Sequence, residues 1–199
     1  MSKPSNNKHR PRQNKSASSL RIIGGKWRSR LIDFAPQQGL RPTPNRIRET
    51  LFNWLAPVIE GASCLDLFAG SGALSFEALS RGAQKAVIID SSKPACVTIQ
   101  LQLDKLDCTR ASIYQDSAQQ WLNTNKDTEQ FDVVFLDPPF GQGLLSPVAK
   151  SLQEGNFLKS GAHIYIESES TLISKDVPEN WQLLKQKCSG DVHYHLFQA

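Results

Sequence analysis

The sequence predicts an α/β domain built on a doubly wound, mostly parallel sheet, and three observations predict it. From residue 62 onward, short apolar runs alternate with segments of helical period. A glycine turn, Gly70-Ser71-Gly72, stands between the first of these runs and the helical segment that follows. Residues 181–198 read as two strands joined at Ser189-Gly190-Asp191, an antiparallel ending. Together they describe a Rossmann-like seven-stranded sheet with a C-terminal antiparallel hairpin, preceded by a small N-terminal β-hairpin.

The elements follow in order. Residues 1–19 are polar and basic, with too little apolar surface to order themselves, and read as a flexible tail. Residues 20–34, "LRIIGGKWRSRLIDF", place two short apolar runs around Gly24-Gly25 and read as a basic β-hairpin within a small extension over 20–39. The main domain spans 40–199. It opens with a proline-punctuated segment and a helix of about three turns, with Ile47, Leu51, Phe52, Trp54 and Leu55 on one stripe. Strands are expected at 63–68, 86–90, 111–115, 131–137 and 162–168. Helices are expected at 72–82, 93–106 and 144–154, with a short one through Trp121.

Composition excludes several classes. At 199 residues with 39% hydrophobic content, one domain with a real core is expected. No apolar run approaches the roughly 20 residues of a membrane helix, and the basic N-terminus lacks the apolar stretch of a secretory signal. A cytoplasmic location is therefore expected. The four cysteines show no metal-like spacing and read as reduced, mostly buried thiols. His193 and His195 read as alternation along a strand, and no metal is expected. No apolar stretch is left over after the core elements, so a monomer is expected.

Charge is distributed unevenly. Residues 1–48 hold 12 of the 23 Lys and Arg and a single acid, a net +11. Residues 49–199 carry a net −7. A basic front on an acidic body is the electrostatic footprint of a polyanion-binding arm. Trp27 and Phe34, interleaved with the basic residues, are candidates to stack on bases.

The glycine turn points to a nucleoside-bearing cofactor. Gly70 and Gly72 allow a tight turn and close ligand approach at a helix N-terminus. Asp90 ends the next strand 20 residues after Gly70, the spacing at which an acid meets ribose hydroxyls. The third position of a dinucleotide fingerprint is here Ser75. Asp66, inside the strand end, repels a pyrophosphate and suits a cationic ligand. S-adenosylmethionine carries an amine and a sulfonium and no phosphate. Asp66, Phe68, Gly70, Gly72 and Asp90 are thus the cofactor-binding candidates.

The second motif is "LDPPF" at 136–140. In an open α/β sheet, ligands sit at the carboxyl ends of the strands near the switch point, which brings Asp137 beside the glycine turn. Pro138 and Pro139 fix the backbone and remove two N–H donors, leaving rigid carbonyls. A carboxylate with a fixed carbonyl is a pair of acceptors for the two hydrogens of a planar exocyclic amine. Held so, the amine is favoured to pyramidalise and aim its lone pair at a sulfonium methyl. Phe140 would stack on the base. Asp137, Pro138, Pro139 and Phe140 are the catalytic candidates, working by position and electrostatics.

These motifs carry a resemblance. From Leu20 to Gln198 the chain resembles the bacterial 16S rRNA guanine-N2 methyltransferases of the RsmD type, class I S-adenosylmethionine-dependent enzymes that modify the guanine at position 966. The matching pieces are "RIIGGKWR" (21–28), "LRPTPNRIRETLFNWLAP" (40–57), "LDLFAGSGALSFEALSRGA" (65–83), "FLDPPF" (135–140) and "IYIESE" (164–169). The resemblance implies that Asp66, Gly70 and Gly72 line the methionine part of the cofactor, that Asp90 holds the ribose, and that Asp116 or Ser117, after the third strand, contacts the adenine. It implies that Asp137, Pro138 and Phe140 handle the target amine. Arg21, Lys26, Arg28, Arg41, Arg46 and Arg48 would meet RNA or organise the site. It also implies an rRNA partner within a partly assembled small subunit. Pro44 and Asn45 depart from the more usual Thr-Asp of the arginine block, with Pro44 expected in the helix's first turn. A DNA adenine-N6 or cytosine-N4 methyltransferase would use the same acceptor pair but needs a larger target-recognition region. A protein-glutamine N5 methyltransferase would not need the basic front. A non-catalytic RNA-binding assembly factor would not need the intact Asp66, Asp90 and Asp137.

Overall fold

A computed structural model describes residues 18–34, 43–172 and 176–199. Nine strands and five helices are formed among them. Residues 1–17 of the tail expected over 1–19 lie outside the described residues.

The main sheet contains β3 (Ser63–Asp66), β4 (Lys85–Asp90), β5 (Ala111–Gln115), β6 (Phe131–Leu136), β7 (Leu158–Ser168), β8 (Gln182–Ser189) and β9 (Val192–Gln198). Their order is β5-β4-β3-β6-β7-β9-β8. β3 through β7 pair in parallel, and β9 pairs antiparallel with both β7 and β8. The strand order reverses between β3 and β6, so the switch point lies at their carboxyl ends. β3 and β6 are buried on both faces, as parallel central strands require.

Helices α1 (Asn45–Trp54), α2 (Ala73–Ser80), α3 (Lys93–Lys105), α4 (Ala118–Thr124) and α5 (Leu145–Glu154) complete the layers. One core cluster joins Cys64, Val133, Phe135 and Tyr165 to α1, α2 and α3. The other joins Leu65, Val134, Leu136 and Ile164 to α4 and α5. Successive strand residues thus feed opposite layers, the period-two alternation of a sheet covered on both faces.

The N-terminal hairpin forms as expected, β1 (Ser18–Arg21) against β2 (Leu31–Phe34). Ser18 and Ser19 are strand residues, so the hairpin begins two residues inside the segment read as tail. It is no separate appendage. Leu20, Ile22, Trp27 and Ile32 are buried in the same core cluster as α1 and α2. Trp27 is 3% exposed and Phe34 packs against that core. Trp27 therefore has no face free for a base, which corrects its stacking expectation, while Phe34 is half-buried.

The docking is polar as well. Gly25 has φ +75°, and a side chain there would run into the Ser80 carbonyl at the end of α2. Without one, Lys26 N donates to that carbonyl at 2.7 Å, and Trp27 N donates to Ser80 Oγ at 2.9 Å. Glu77, fully buried on α2, accepts from Ile23 N at 2.9 Å, from Gly24 N at 2.8 Å and from Arg81 Nε at 2.7 Å.

Pro44 takes the N-cap position of α1 rather than its first turn, with ψ 148°. Cys64 and Cys96 are buried, but Cys188 is exposed, because β8 is an edge strand. His193 and His195 alternate along β9; His195 is buried and stacks on Phe197, with ring centroids 6.1 Å apart. Among the described residues, no helix is long and apolar enough to cross a membrane.

Candidate active site

The site forms where β3, β4, β5, β6 and β7 end. The turn after β3 is drawn onto β4: Ala69 N donates to Ile89 O at 3.0 Å, and Gly70 N donates to Asp90 Oδ2 at 2.6 Å. Asp90 Oδ1 accepts from Ser92 N at 2.7 Å. Each carboxylate oxygen keeps one acceptor position, so Asp90 can still receive two hydroxyl donors. Gly72 caps α2 at φ +75°, and a Cβ there would come within 2.7 Å of the Phe76 ring. Both the conformation and the space demand glycine at this position.

Asp66 sits beneath this turn and is 2% exposed. Ser75 Oγ donates to its Oδ2 at 2.6 Å. That bond gives Ser75, the departure from the dinucleotide fingerprint, its physical reason. Burial pushes the Asp66 carboxyl up to about 7, against the lowering effect of the Ser75 hydroxyl and of the Phe68 and Ser75 amides. Phe68 is half-buried at the turn.

At the next strand end, Asp116 N donates to Asp90 O at 3.1 Å, which ties the β5 end to the β4 end. Ser117 caps α4, its hydroxyl accepting from Gln120 N at 3.2 Å. Asp116 Oδ1 accepts from Ser117 N at 2.8 Å, so its other oxygen is the freer acceptor of the pair.

Asp137 is the first residue beyond β6. Pro138 is buried, while Pro139 and Phe140 are exposed, Phe140 at 45%. Thr43 Oγ1 donates to Asp137 Oδ2 at 3.4 Å. Burial, then the neighbouring Glu167 and Asp66 carboxylates, hold the Asp137 carboxyl well above its ordinary range. Glu167, near the end of β7, is 4% exposed and accepts from Tyr165 Oη at 2.9 Å. Thr43, Tyr165 and Glu167 were not singled out from the sequence. The available signal was an acid at the end of a third strand, in "IYIESE".

Among the described residues, none of Asp66, Asp90, Asp137 and Glu167 forms an ion pair. Nor do any three His, Cys, Asp or Glu among them converge as metal ligands. This donor set fits a cationic, hydroxyl-bearing ligand such as S-adenosylmethionine and opposes a phosphate-rich one.

The basic residues divide. Arg21, Lys26, Arg28 and Arg46 are exposed. Arg41 lies outside the described residues. Arg48 is 1% exposed, which corrects its assignment to the RNA surface. Its Nη2 donates to Arg21 O at 2.9 Å and to Asn45 Oδ1 at 2.6 Å, and its Nη1 lies 3.6 Å from Glu77 Oε2. It is a buried strut between α1, α2 and the hairpin.

Residues 20–198 match the protein family described as "Conserved hypothetical protein 95". The chain belongs to this family. Its similarity extends to a curated relative named "Ribosomal RNA small subunit methyltransferase D" from Haemophilus influenzae. That protein is 45% identical over 90% of this chain and 93% of its own length. Among solved structures, the Escherichia coli protein yhhF is 44% identical, with a TM-score of 0.82 over 91% of this chain and 98% of that one. The SMU.776 protein, solved as a complex with SAH, shares the fold at 15% identity, with a TM-score of 0.66 over 81% of this chain and 50% of that one. The family match takes in both the docked hairpin and the carboxylate-lined strand ends.

Proposed function

We propose that this chain transfers a methyl group from S-adenosylmethionine to the exocyclic N2 amine of guanine 966 in 16S rRNA, acting as a monomer on a partly assembled small subunit. Methyl transfer to ribosomal RNA is the activity named for its curated relative. The observation that carries the finer reading is Asp137 on its Pro-Pro turn, half-buried near the glycine turn at the switch point.

S-adenosylmethionine supplies, when bound, an electrophilic methyl on a sulfonium. Gly70 and Gly72 provide the close approach, Asp90 receives the ribose hydroxyls, and Asp116 accepts from the adenine amine. Asp66 holds the turn in place from beneath through Ser75 and adds negative potential. Asp137 and the Pro138 carbonyl accept the two N2 hydrogens and turn the amine's lone pair outward. Phe140 offers its exposed face to the base. Such stacking requires the guanine to be unpaired or flipped. Arg21, Lys26, Arg28 and Arg46 meet the phosphate backbone.

The test is label transfer from radiolabelled S-adenosylmethionine to small-subunit rRNA, naked and in particles, with DNA and protein as rival acceptors. Nucleoside digestion is expected to return N2-methylguanosine. Label in N6-methyladenine or N4-methylcytosine of DNA, or in protein, overturns the acceptor. Asp90→Ala is expected to weaken cofactor binding about tenfold or more, measured by calorimetry.

A further inference from the structure

Glu167 has no part in the mechanism above, yet it is a carboxylate only 4% exposed beside Asp137. Its placement follows from register. Asp66, Asp137 and Glu167 stand two residues beyond Cys64, Phe135 and Tyr165, which all face the same core layer. β6 and β7 pair in parallel up to Leu136 opposite Ile166, and Asp137 and Glu167 are the next residue on each chain segment. The two carboxylates lie near enough to act on each other, and neither forms an ion pair among the described residues. What faces them is Thr43 ahead of α1, Tyr165 on β7, Asp66 on β3 and Tyr194 on β9. Tyr165 Oη donates to Glu167, and the Thr43 hydroxyl lies within reach of both acids. Two carboxylates so placed each strengthen the other's hold on a proton, and Asp137 acts as a base once it is ionised.

Building on the function proposed above, we propose that Glu167 is a positioning residue that acts through Asp137, making it basic enough to take the proton that the methylated amine must lose. The balance is simple. The sulfonium–methyl bond breaks with its electron pair left on sulfur, and the N2 lone pair forms the new bond to carbon. The amine then carries one hydrogen too many, and that proton passes to Asp137. A carboxylate of ordinary basicity holds such a proton weakly near neutral pH. Beside Glu167 it is held more firmly. Tyr165 keeps Glu167 as the acceptor of the pair by donating to it, and Thr43 fixes Asp137.

The prediction is specific in sign. Glu167→Gln removes the neighbouring charge, so the Asp137 carboxyl titrates lower. The acid limb of the pH profile of kcat/KM is expected to move down by about one pH unit or more, with a lower plateau. Tyr165→Phe weakens the hydrogen bond that keeps Glu167 ionised and is expected to shift the limb the same way, by less. Carbon-13 NMR titration of the Asp137 carboxyl in the ligand-free protein gives a readout without turnover. Its midpoint is expected to fall in both variants. A folded Glu167→Gln protein with the wild-type Asp137 midpoint overturns the inference. A role confined to stability would lower the melting temperature and leave that midpoint in place. If the wild type methylates no guanine while the Asp137 midpoint still falls in Glu167→Gln, the coupling stands and the functional reading on which it rests fails.

Discussion

The basic front and the acidic strand ends carry charge in opposite ways. Arg21, Lys26, Arg28 and Arg46 are exposed, spread over the hairpin and the start of α1. Asp66 and Glu167 are almost wholly enclosed, and Asp137 joins them at the ends of three adjacent strands. Exposed cations bind a polyanion by number, each releasing a counterion, and tolerate loose placement. Buried carboxylates act by position, because each costs desolvation energy unless something meets it. On the proposed function, the front gives reach and the strand ends give chemistry. The Arg48–Glu77 strut is the joint between them: the same buried charge logic, used to hold the hairpin on α2.

The sharpest way to break this comparison is at Asp137, the carboxylate proposed to handle the target amine. Asp137→Ala is expected to lower single-turnover methyl transfer by about 10³–10⁴-fold, with cofactor affinity measured by calorimetry nearly unchanged. Turnover at the wild-type rate would remove Asp137 from the mechanism. Next comes the joint. Glu77→Ala leaves the Arg48 guanidinium buried without its counter-charge and two hairpin amides without an acceptor. Urea unfolding is expected to show a loss of about 3–5 kcal/mol. A loss under 1 kcal/mol would mean that the hairpin is held by its apolar anchors alone.

The enclosed acids also set a pH dependence. The folded protein holds Asp66 up to about 7, above its unfolded value of 3.8, so the folded state binds the extra proton. The stability this group contributes is present below about pH 4 and is lost as pH rises toward 7. Between these limits the loss is on the order of 3–4 kcal/mol. The difference in unfolding free energy between wild type and Asp66→Asn, followed from pH 5 to pH 8, is expected to trace that loss. A flat difference would mean that Asp66 is not buried as described. The mildest change is at the front. Replacing Arg21, Lys26 and Arg28 together by Gln is expected to reduce the slope of log affinity against log salt by about 2–3 on rRNA. Cofactor binding should stay intact.

Much of this was legible in the sequence, and the reason differs by region. The apolar runs of "FDVVFL" and "AVIID" announced buried parallel strands, and the glycine turn with Asp90 announced the ligand end. These signals are local, set by alternation and by turn chemistry. What was not legible depended on partners far along the chain. Arg48 reads as a surface cation beside Arg46, and only Glu77, 29 residues on, makes its burial tolerable. Trp27 reads as a stacking residue among basic neighbours until its contact with α2 is seen. Glu167 reads as one acid of "ESE", because its meaning comes from the parallel register that sets it beside Asp137.

The central claim is that the carboxylate row methylates guanine N2 on an RNA gripped by the basic front. It is tested most directly on small subunits from cells that lack the modification, incubated with the protein and S-adenosylmethionine. Mass spectrometry of the rRNA fragment holding guanine 966 is the readout. The account predicts a single added methyl on N2 of that guanine with the wild type and none with Asp137→Ala. A methyl at another atom or another base, or an equal yield from Asp137→Ala, would contradict it.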